Sequence, residues 1–216
     1  PIQIIFLSDA RNVASLSQPR NLIVAEKFSE ATIIETYAGI GEQLYFTNTV
    51  TEVYTDEKAH FKHIRLQKEK DDAFHIATVQ AFQERNSNYK NYNINFGGQL
   101  VRNNINTRFN GEGGEATING LSLGVDKKLI DNHTEIDHAV PHCESHELYK
   151  GVYDDKSRGV FNGKVFVRKD AQKTNAFQEN KNVILSDFAK IDTKPQLEIF
   201  ADDVKCTHGA TIGRLD

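Results

Sequence analysis

Cys206 and His208 stand two residues apart within residues 195–211, Pro-Gln-Leu-Glu-Ile-Phe-Ala-Asp-Asp-Val-Lys-Cys-Thr-His-Gly-Ala-Thr. The segment reads as strand. On a strand, positions i and i+2 share a face and lie about 6.6–6.8 Å apart along the axis. The thiol and the imidazole are therefore expected to point one way and Thr207 the other. Thiolate and neutral imidazole are soft to intermediate metal ligands. Two ligands do not close a tetrahedral site, so the remaining ones must come from elsewhere in the fold or from another chain. The competing reading is structural: a buried cysteine, a frequent fate of free thiols, beside a hydrogen-bonded histidine. A ligating thiolate needs its pKa brought below the free value of about 8.5. Lys205 or a bound metal would lower it; Asp202 and Asp203 would oppose that.

Other constellations carry less chemistry. Four of the eight histidines, His133, His138, His142 and His146, fall within fourteen residues that also hold Cys143 and Glu144. Such density can bind metal, but the spacing of His142, Cys143 and His146 fits no standard zinc pattern. Polar turns and hydrogen bonds between neighbouring strands are the expectation. The run Asn110-Gly111-Glu112-Gly113-Gly114-Glu115 lacks the Lys-Ser/Thr of a phosphate loop, and its glutamates would repel phosphate; a tight corner is expected. No Walker A sequence occurs anywhere, so no nucleotide is expected on this chain through a P-loop. Asp154 with Asp155, and Asp202 with Asp203, are sequence neighbours that would face opposite sides of a strand. A polysaccharide lyase or hydrolase, the alternative activity for an elongated β fold, needs its acids paired across a groove. Ser157 has no adjacent base to activate it.

These residues must be positioned by strands. Helix signals are weak, and β-branched or aromatic residues alternate with polar ones over 31–37, 44–54, 59–66, 115–123, 164–168 and 183–185. Residues 72–85 have a helix-like composition, but Phe74, Ile76, Thr78, Gln80 and Phe82 alternate at period two, which favours strand. Residues 1–7 read as a strand entered mid-fold. Small residues open strands at Ala31, Ala59, Ser87, Ala116 and Ser145, about every 28–29 residues, and again at Gly159, Thr174, Ala189 and Val204 at about half that interval. A fixed period with strand-sized units marks a solenoid. Asn86, Asn88, Asn91, Asn93, Asn95, Asn103, Asn104 and Asn106 are expected in exposed turns, where asparagine tolerates left-handed geometry, or stacked in ladders. The expected fold is all-β, a parallel β-helix forming one domain over 1–216; a β-sandwich, with strands every 8–12 residues, is the alternative.

Bulk properties narrow the function. Twenty-six basic against thirty acidic residues give a net charge of −4, which argues against nucleic-acid or anionic-membrane partners. No apolar run approaches the roughly 20 residues of a membrane span. Residues 1–7 lack a charged n-region, so no signal peptide is expected there. Two cysteines are not a disulfide framework, and a reducing cytoplasmic compartment is the expectation.

Several stretches resemble the core domain of the SufB/SufD family of iron–sulfur cluster assembly proteins. They are residues 19–24, 45–48, Gly97-Gly98-Gln99-Leu100-Val101-Arg102-Asn103-Asn104, 131–134 through 142–145, 149–151, 159–164, 170–174 and 195–213. The Cys206-Thr207-His208-Gly209 ending is similar to the SufD side of the family rather than the SufB side. The resemblance implies a right-handed parallel β-helix and a non-catalytic scaffold subunit. It implies pairing with a SufB-like subunit and binding of a SufC-like ATPase, in which the nucleotide chemistry resides. His208 matches the position thought to join a partner cysteine at the nascent cluster site, so iron or an iron–sulfur cluster would be held transiently at the partner interface. Cys206 is the weaker candidate beside it. Family members carry helical regions on both sides of the core, the C-terminal one contacting the ATPase; these are expected to lie outside 1–216. An unfilled partner surface would let two copies of the chain pair as a homodimer.

Overall fold

Alternation at period two, sustained for eight to eleven residues at a time, produces the elements. A computed structural model describes residues 1–214. The last two residues of the expected 1–216 domain, Leu215 and Asp216, lie outside the described residues. In chain order the strands are β1 (Ile2–Asp9), β2 (Ser15–Ser17), β3 (Arg20–Ala25), β4 (Glu30–Ile40), β5 (Tyr45–Thr55), β6 (His60–Gln67), β7 (Phe74–Gln83) and β8 (Asn88–Asn95). They continue as β9 (Leu100–Phe109), β10 (Glu115–Gly124), β11 (Leu129–His138), β12 (Glu144–Tyr153), β13 (Arg158–Val167), β14 (Asn175–Ile184), β15 (Lys190–Ile199) and β16 (Lys205–Arg214). There is no helix among the described residues, hence none long and apolar enough to cross a membrane. The ambiguous stretch 72–85 is strand β7, as its alternation indicated.

Even-numbered strands from β4 onward join β1 in one sheet, ordered β1-β4-β6-β8-β10-β12-β14-β16. The odd strands form the other, β15-β13-β11-β9-β7-β5-β2, with β3 also on β5. Every pairing is parallel, with paired residues as close as 26 apart in sequence (Phe74 with Leu100) and as far as 32 (Arg158 with Lys190). Antiparallel pairing, which a sandwich requires, is absent from the described residues. The result is a β-solenoid of about seven turns. Each strand reaches its neighbour by a crossover through the opposite sheet, a connection that is right-handed almost without exception. The 28–29-residue repeat is the step along the first sheet, and the half-interval openings at Gly159, Thr174, Ala189 and Val204 are entries to alternate sheets.

The corners explain several isolated sequence features. Phe28, Lys58, Asn86, Gly113, His142 and Lys173 all have positive φ, between 55° and 73°. They occupy one stacked corner, where the backbone N–H groups of Lys58, Asn86, His142 and Lys173 each donate to a carbonyl of the next coil. The glycine cluster at 110–115 is therefore the coil corner that was expected, with Gly113 in the left-handed position that suits it.

The interior departs from an oil-like core. Phe61 stacks on Tyr89, with ring centroids 6.0 Å apart, and Val79, Ile105, Ile118 and Ile136 pack with them. Between the sheets, however, runs a hydrogen-bonded polar layer. Asn103 Nδ2 donates to Asn95 Oδ1 and Asn132 Oδ1, both at 3.1 Å, and Asn132 Nδ2 donates to Ser122 Oγ at 3.2 Å. This corrects the expectation of exposed asparagine turns. Asn86 alone of that set takes the left-handed corner; Asn91, Asn93, Asn95 and Asn103 are buried inward residues. Their parity along β8 and β9 sends them inward, where Asn93, Asn95 and Asn103 find amide partners across the sheets and Asn91 Nδ2 donates to Tyr89 Oη within its own sheet, which removes part of the cost of burial.

Close packing across the rungs yields a mutational test. A Cβ on Gly120 would lie 2.2 Å from a ring carbon of Tyr149, which follows it directly in the next coil. Gly120→Ala should destabilise the fold by about 1–3 kcal/mol, the usual cost of overpacking, measured as a lowered urea midpoint. An unchanged midpoint would show that the Tyr149 ring moves aside freely.

Candidate functional site

Among the described residues β15 and β16 each have one sheet neighbour, β13 and β14 respectively. Their outer edges carry unpaired backbone groups, the property that makes an edge strand a template for another chain. Exposed Phe200 and Ile212 and partly buried Leu197 lie on these strands or the turn between them. The N-terminal end is also apolar, with Ile5, Leu7, Leu22 and Val24 exposed, but it holds no thiol or imidazole on β1, β2 or β3.

Register places the two predicted ligands. Cys206 lies beside Ala176, and His208 beside Gln178, both of which are buried inward residues of β14. Cys206 and His208 are thus on one face, as the strand spacing required, and continue two interior rows. The imidazole row reads His63, Asn91, Ile118, Glu147, Gln178, His208. Its members from His63 to Gln178 are fully enclosed, whereas His208 is exposed. Among the described residues no further coil covers this rung.

The pair divides in chemistry. Cys206 packs on a small apolar cluster with Val165, Val167, Ala176 and Ala201, Leu197 and Val204 adding to it. Burial pushes its thiol above the ordinary value, partly offset by a backbone hydrogen bond from Ala176. A raised thiol pKa disfavours the ligating thiolate. Among the described residues no three His, Cys, Asp or Glu side chains converge as a metal cage, and Cys206 and His208 by themselves do not close a tetrahedral site.

The dense histidine segment does not assemble. His138 is buried with Nε2 2.9 Å from Ser145 Oγ, and burial drops its pKa to about 4. His133 Nε2 lies 2.9 Å from Asp131 Oδ1. His142 holds the left-handed corner, and His146 is exposed on β12. Cys143 is buried, its thiol pushed to about 11, donating towards the carbonyls of Pro141 and Gly111. The four aspartates likewise form no acid pair. Asp203 pairs with Lys173, and Asp155 Oδ2 accepts the Asp126 N–H at 3.0 Å.

Sequence reading missed the charged interior. Glu147 is fully buried, and burial raises its carboxyl to about 7 despite the Gln178 hydrogen bond and the nearby Thr134 hydroxyl. Glu35, Arg65, His63 and Tyr37 form a second buried cluster. Their signal was available: Glu147 shares the inward parity of Ser145 and Tyr149, and Arg65 that of Phe61 and Gln67.

A parallel β-solenoid of about seven turns, with His208 exposed on the last described rung, is the class of protein the fold defines. The chain belongs to the SUF system FeS cluster assembly, SufBD core domain family, which matches residues 6–216. It is similar to an iron–sulfur cluster assembly SufBD family protein of Synechocystis, 38% identical over 100% of this chain and 49% of the relative. It is also similar to the iron–sulfur cluster assembly protein SufD of Escherichia coli, 37% identical over 87% of this chain and 44% of the relative. A third relative is the chloroplastic protein ABCI7 of Arabidopsis thaliana, 35% identical over 93% of this chain and 43% of the relative. The chain spans about half the length of the curated relatives it matches.

Proposed function

We propose that this chain is the solenoid core of a SufD-like scaffold subunit in iron–sulfur cluster assembly. It contributes His208 as one ligand to iron or a nascent cluster held between it and a SufB-like partner. The cluster is cargo of the assembly, not a resident cofactor of this chain. One observation carries the reading: His208 is exposed on the last described rung of a row whose preceding members are enclosed. It lies on an edge strand able to pair with a second solenoid. Cys206, with a raised pKa and apolar surroundings, serves mainly to pack the last coil. The chain performs no catalysis in this reading; a SufC-like ATPase supplies nucleotide hydrolysis, and the assembly works in the cytoplasm. The same open end can pair two copies of the chain when no SufB-like partner is present.

The test is anaerobic co-expression of the full-length protein with its SufB-like and SufC-like partners, as wild type and as His208→Ala. Complex size reports assembly; iron, sulfide and visible absorbance report cluster. The expected result is an intact complex with cluster content reduced at least about tenfold, the scale for disturbed metal sites. Full cluster on an intact His208→Ala complex would reduce His208 to a surface histidine. Failure of the wild type to assemble with these partners would overturn the scaffold reading.

A further inference from the structure

Gln178 lies one rung behind His208, and its surroundings commit one end of its carboxamide and leave the other free. Its Nε2 donates to Glu147 Oε2 at 2.7 Å, back towards the preceding coil. Across the interior, Gly163 leaves the space this requires: a Cβ there would come within 2.5 Å of Gln178 Nε2. The Oε1 atom is buried and has no hydrogen-bond partner among the described residues. A buried acceptor left unpaired is costly.

The amide group is planar, so with Nε2 turned to Glu147 the oxygen occupies the branch away from it. The next rung on that side is His208, paired with Gln178 in register at the roughly 4.8 Å strand spacing. On the same face of β16, His208 is flanked by Cys206 and Ala210. Alanine has no polar side-chain group and a thiol is a weak donor, whereas neutral imidazole always carries one N–H. Among these three side chains of β16, the imidazole of His208 is the strong donor.

We propose that Gln178 is a positioning residue for His208: Glu147 holds its amide end, and its Oε1 accepts an imidazole N–H, fixing the tautomer and ring orientation. The nitrogen facing Gln178 then keeps its hydrogen, and the other presents its lone pair to the partner chain. This is the role that outer hydrogen-bond partners play for metal-binding histidines. The inference deepens the proposed function and rests on it for its purpose, though not for its geometry.

The experiment is nitrogen NMR on the full-length protein labelled with 15N-histidine, at about pH 8.5, where an unperturbed imidazole is neutral. His208→Ala assigns the signal. In the wild type, His208 should show a single locked tautomer, its two ring nitrogens widely separated in shift. Gln178→Leu should collapse it to the mixed tautomers of a free histidine. Gly163→Ala should do the same with Gln178 in place, by displacing its amide, and carries the test should Gln178→Leu fail to fold. A mixed tautomer in the wild type overturns the proposal, and so does a locked one that survives displacement of the amide. The readout needs neither cluster nor partner. A locked tautomer together with full cluster on His208→Ala would therefore sink the ligand role and leave the Gln178–His208 bond standing. In the co-expressed complex, Gln178→Leu should lower cluster content about tenfold or more with assembly intact; unchanged cluster would refute its positioning role.

Discussion

Arg65→Met is expected to cost about 3–5 kcal/mol of stability, the scale for stranding a buried charge. It would be measured as a lowered urea midpoint at unchanged slope. The Arg65 guanidinium lies between the sheets with 2% of the side chain exposed, its Nε 3.2 Å from Glu35 Oε2. Glu35 is wholly enclosed; Tyr37 donates to Oε2 at 2.9 Å, and His63 Nε2 lies 3.4 Å from Oε1. Taking away the cation leaves that carboxylate buried with weaker partners. The double variant Arg65→Met, Glu35→Gln should recover much of the loss, because a neutral replacement of a buried pair is often well tolerated. If the double variant is no more stable than the single one, the loss comes from packing around the guanidinium instead.

The same cluster sets the acid limb of stability. Burial by itself would raise Glu35, but the hydrogen bond and charge of His63, then Arg65 and Tyr37, outweigh it and hold the carboxyl at about 2. A carboxyl depressed on folding stabilises fully above its unfolded value, and that contribution is lost as pH falls through the folded one. Roughly 3 kcal/mol should disappear between about pH 4.5 and pH 2, at 1.36 kcal/mol per unit. Arg65→Met should flatten this limb.

Glu147→Gln is expected to stabilise the fold by roughly 3 kcal/mol above pH 7 and to leave it nearly unchanged at pH 4. Here burial dominates and lifts the carboxyl to about 7, against the smaller opposing effects of Thr134 and Gln178. The sign is opposite to that of Glu35. A carboxyl raised on folding favours the folded state below its unfolded value, and that advantage is lost as pH rises through the folded one. Between about pH 4.5 and 7 the wild type should lose stability on this account, and the glutamine variant should not. The amide keeps a carbonyl oxygen for the Gln178 Nε2, so the support behind His208 survives. Denaturant unfolding of both proteins across this range decides it. Equal slopes would mean that Glu147 is stabilised as a carboxylate by groups beyond Thr134 and Gln178.

Much of the architecture was legible because it is periodic. Alternation at 44–54 and 115–123 marks half-buried strands, and small residues from Ala31 to Ser145 mark the step of the coil. Even the ambiguous 72–85 yielded to its period-two pattern over its helix-like composition. The asparagines were misjudged for a definite reason. Composition favours turns for asparagine in general, but on β8 and β9 parity decides, and an amide layer between two sheets satisfies what turns would otherwise solvate. The histidine cluster looked dense only along the chain. Alternation and a corner sent His133, His138, His142 and His146 into four separate environments.

In the sequence alone, strand spacing determined that Cys206 and His208 share a face and cannot close a metal site alone, and the 28–29-residue repeat determined that the chain is a solenoid. These follow from local geometry, which repeats wherever the pattern does. Only the tertiary structure decided which ligand candidate stands exposed and which packs into apolar surroundings, and that Gln178 and Glu147 stand behind the imidazole. Those facts depend on register between strands about 30 residues apart, with Asn175 beside Lys205 and Glu144 beside Asn175. They depend equally on which rung is last among the described residues, where the inward-facing His208 is exposed.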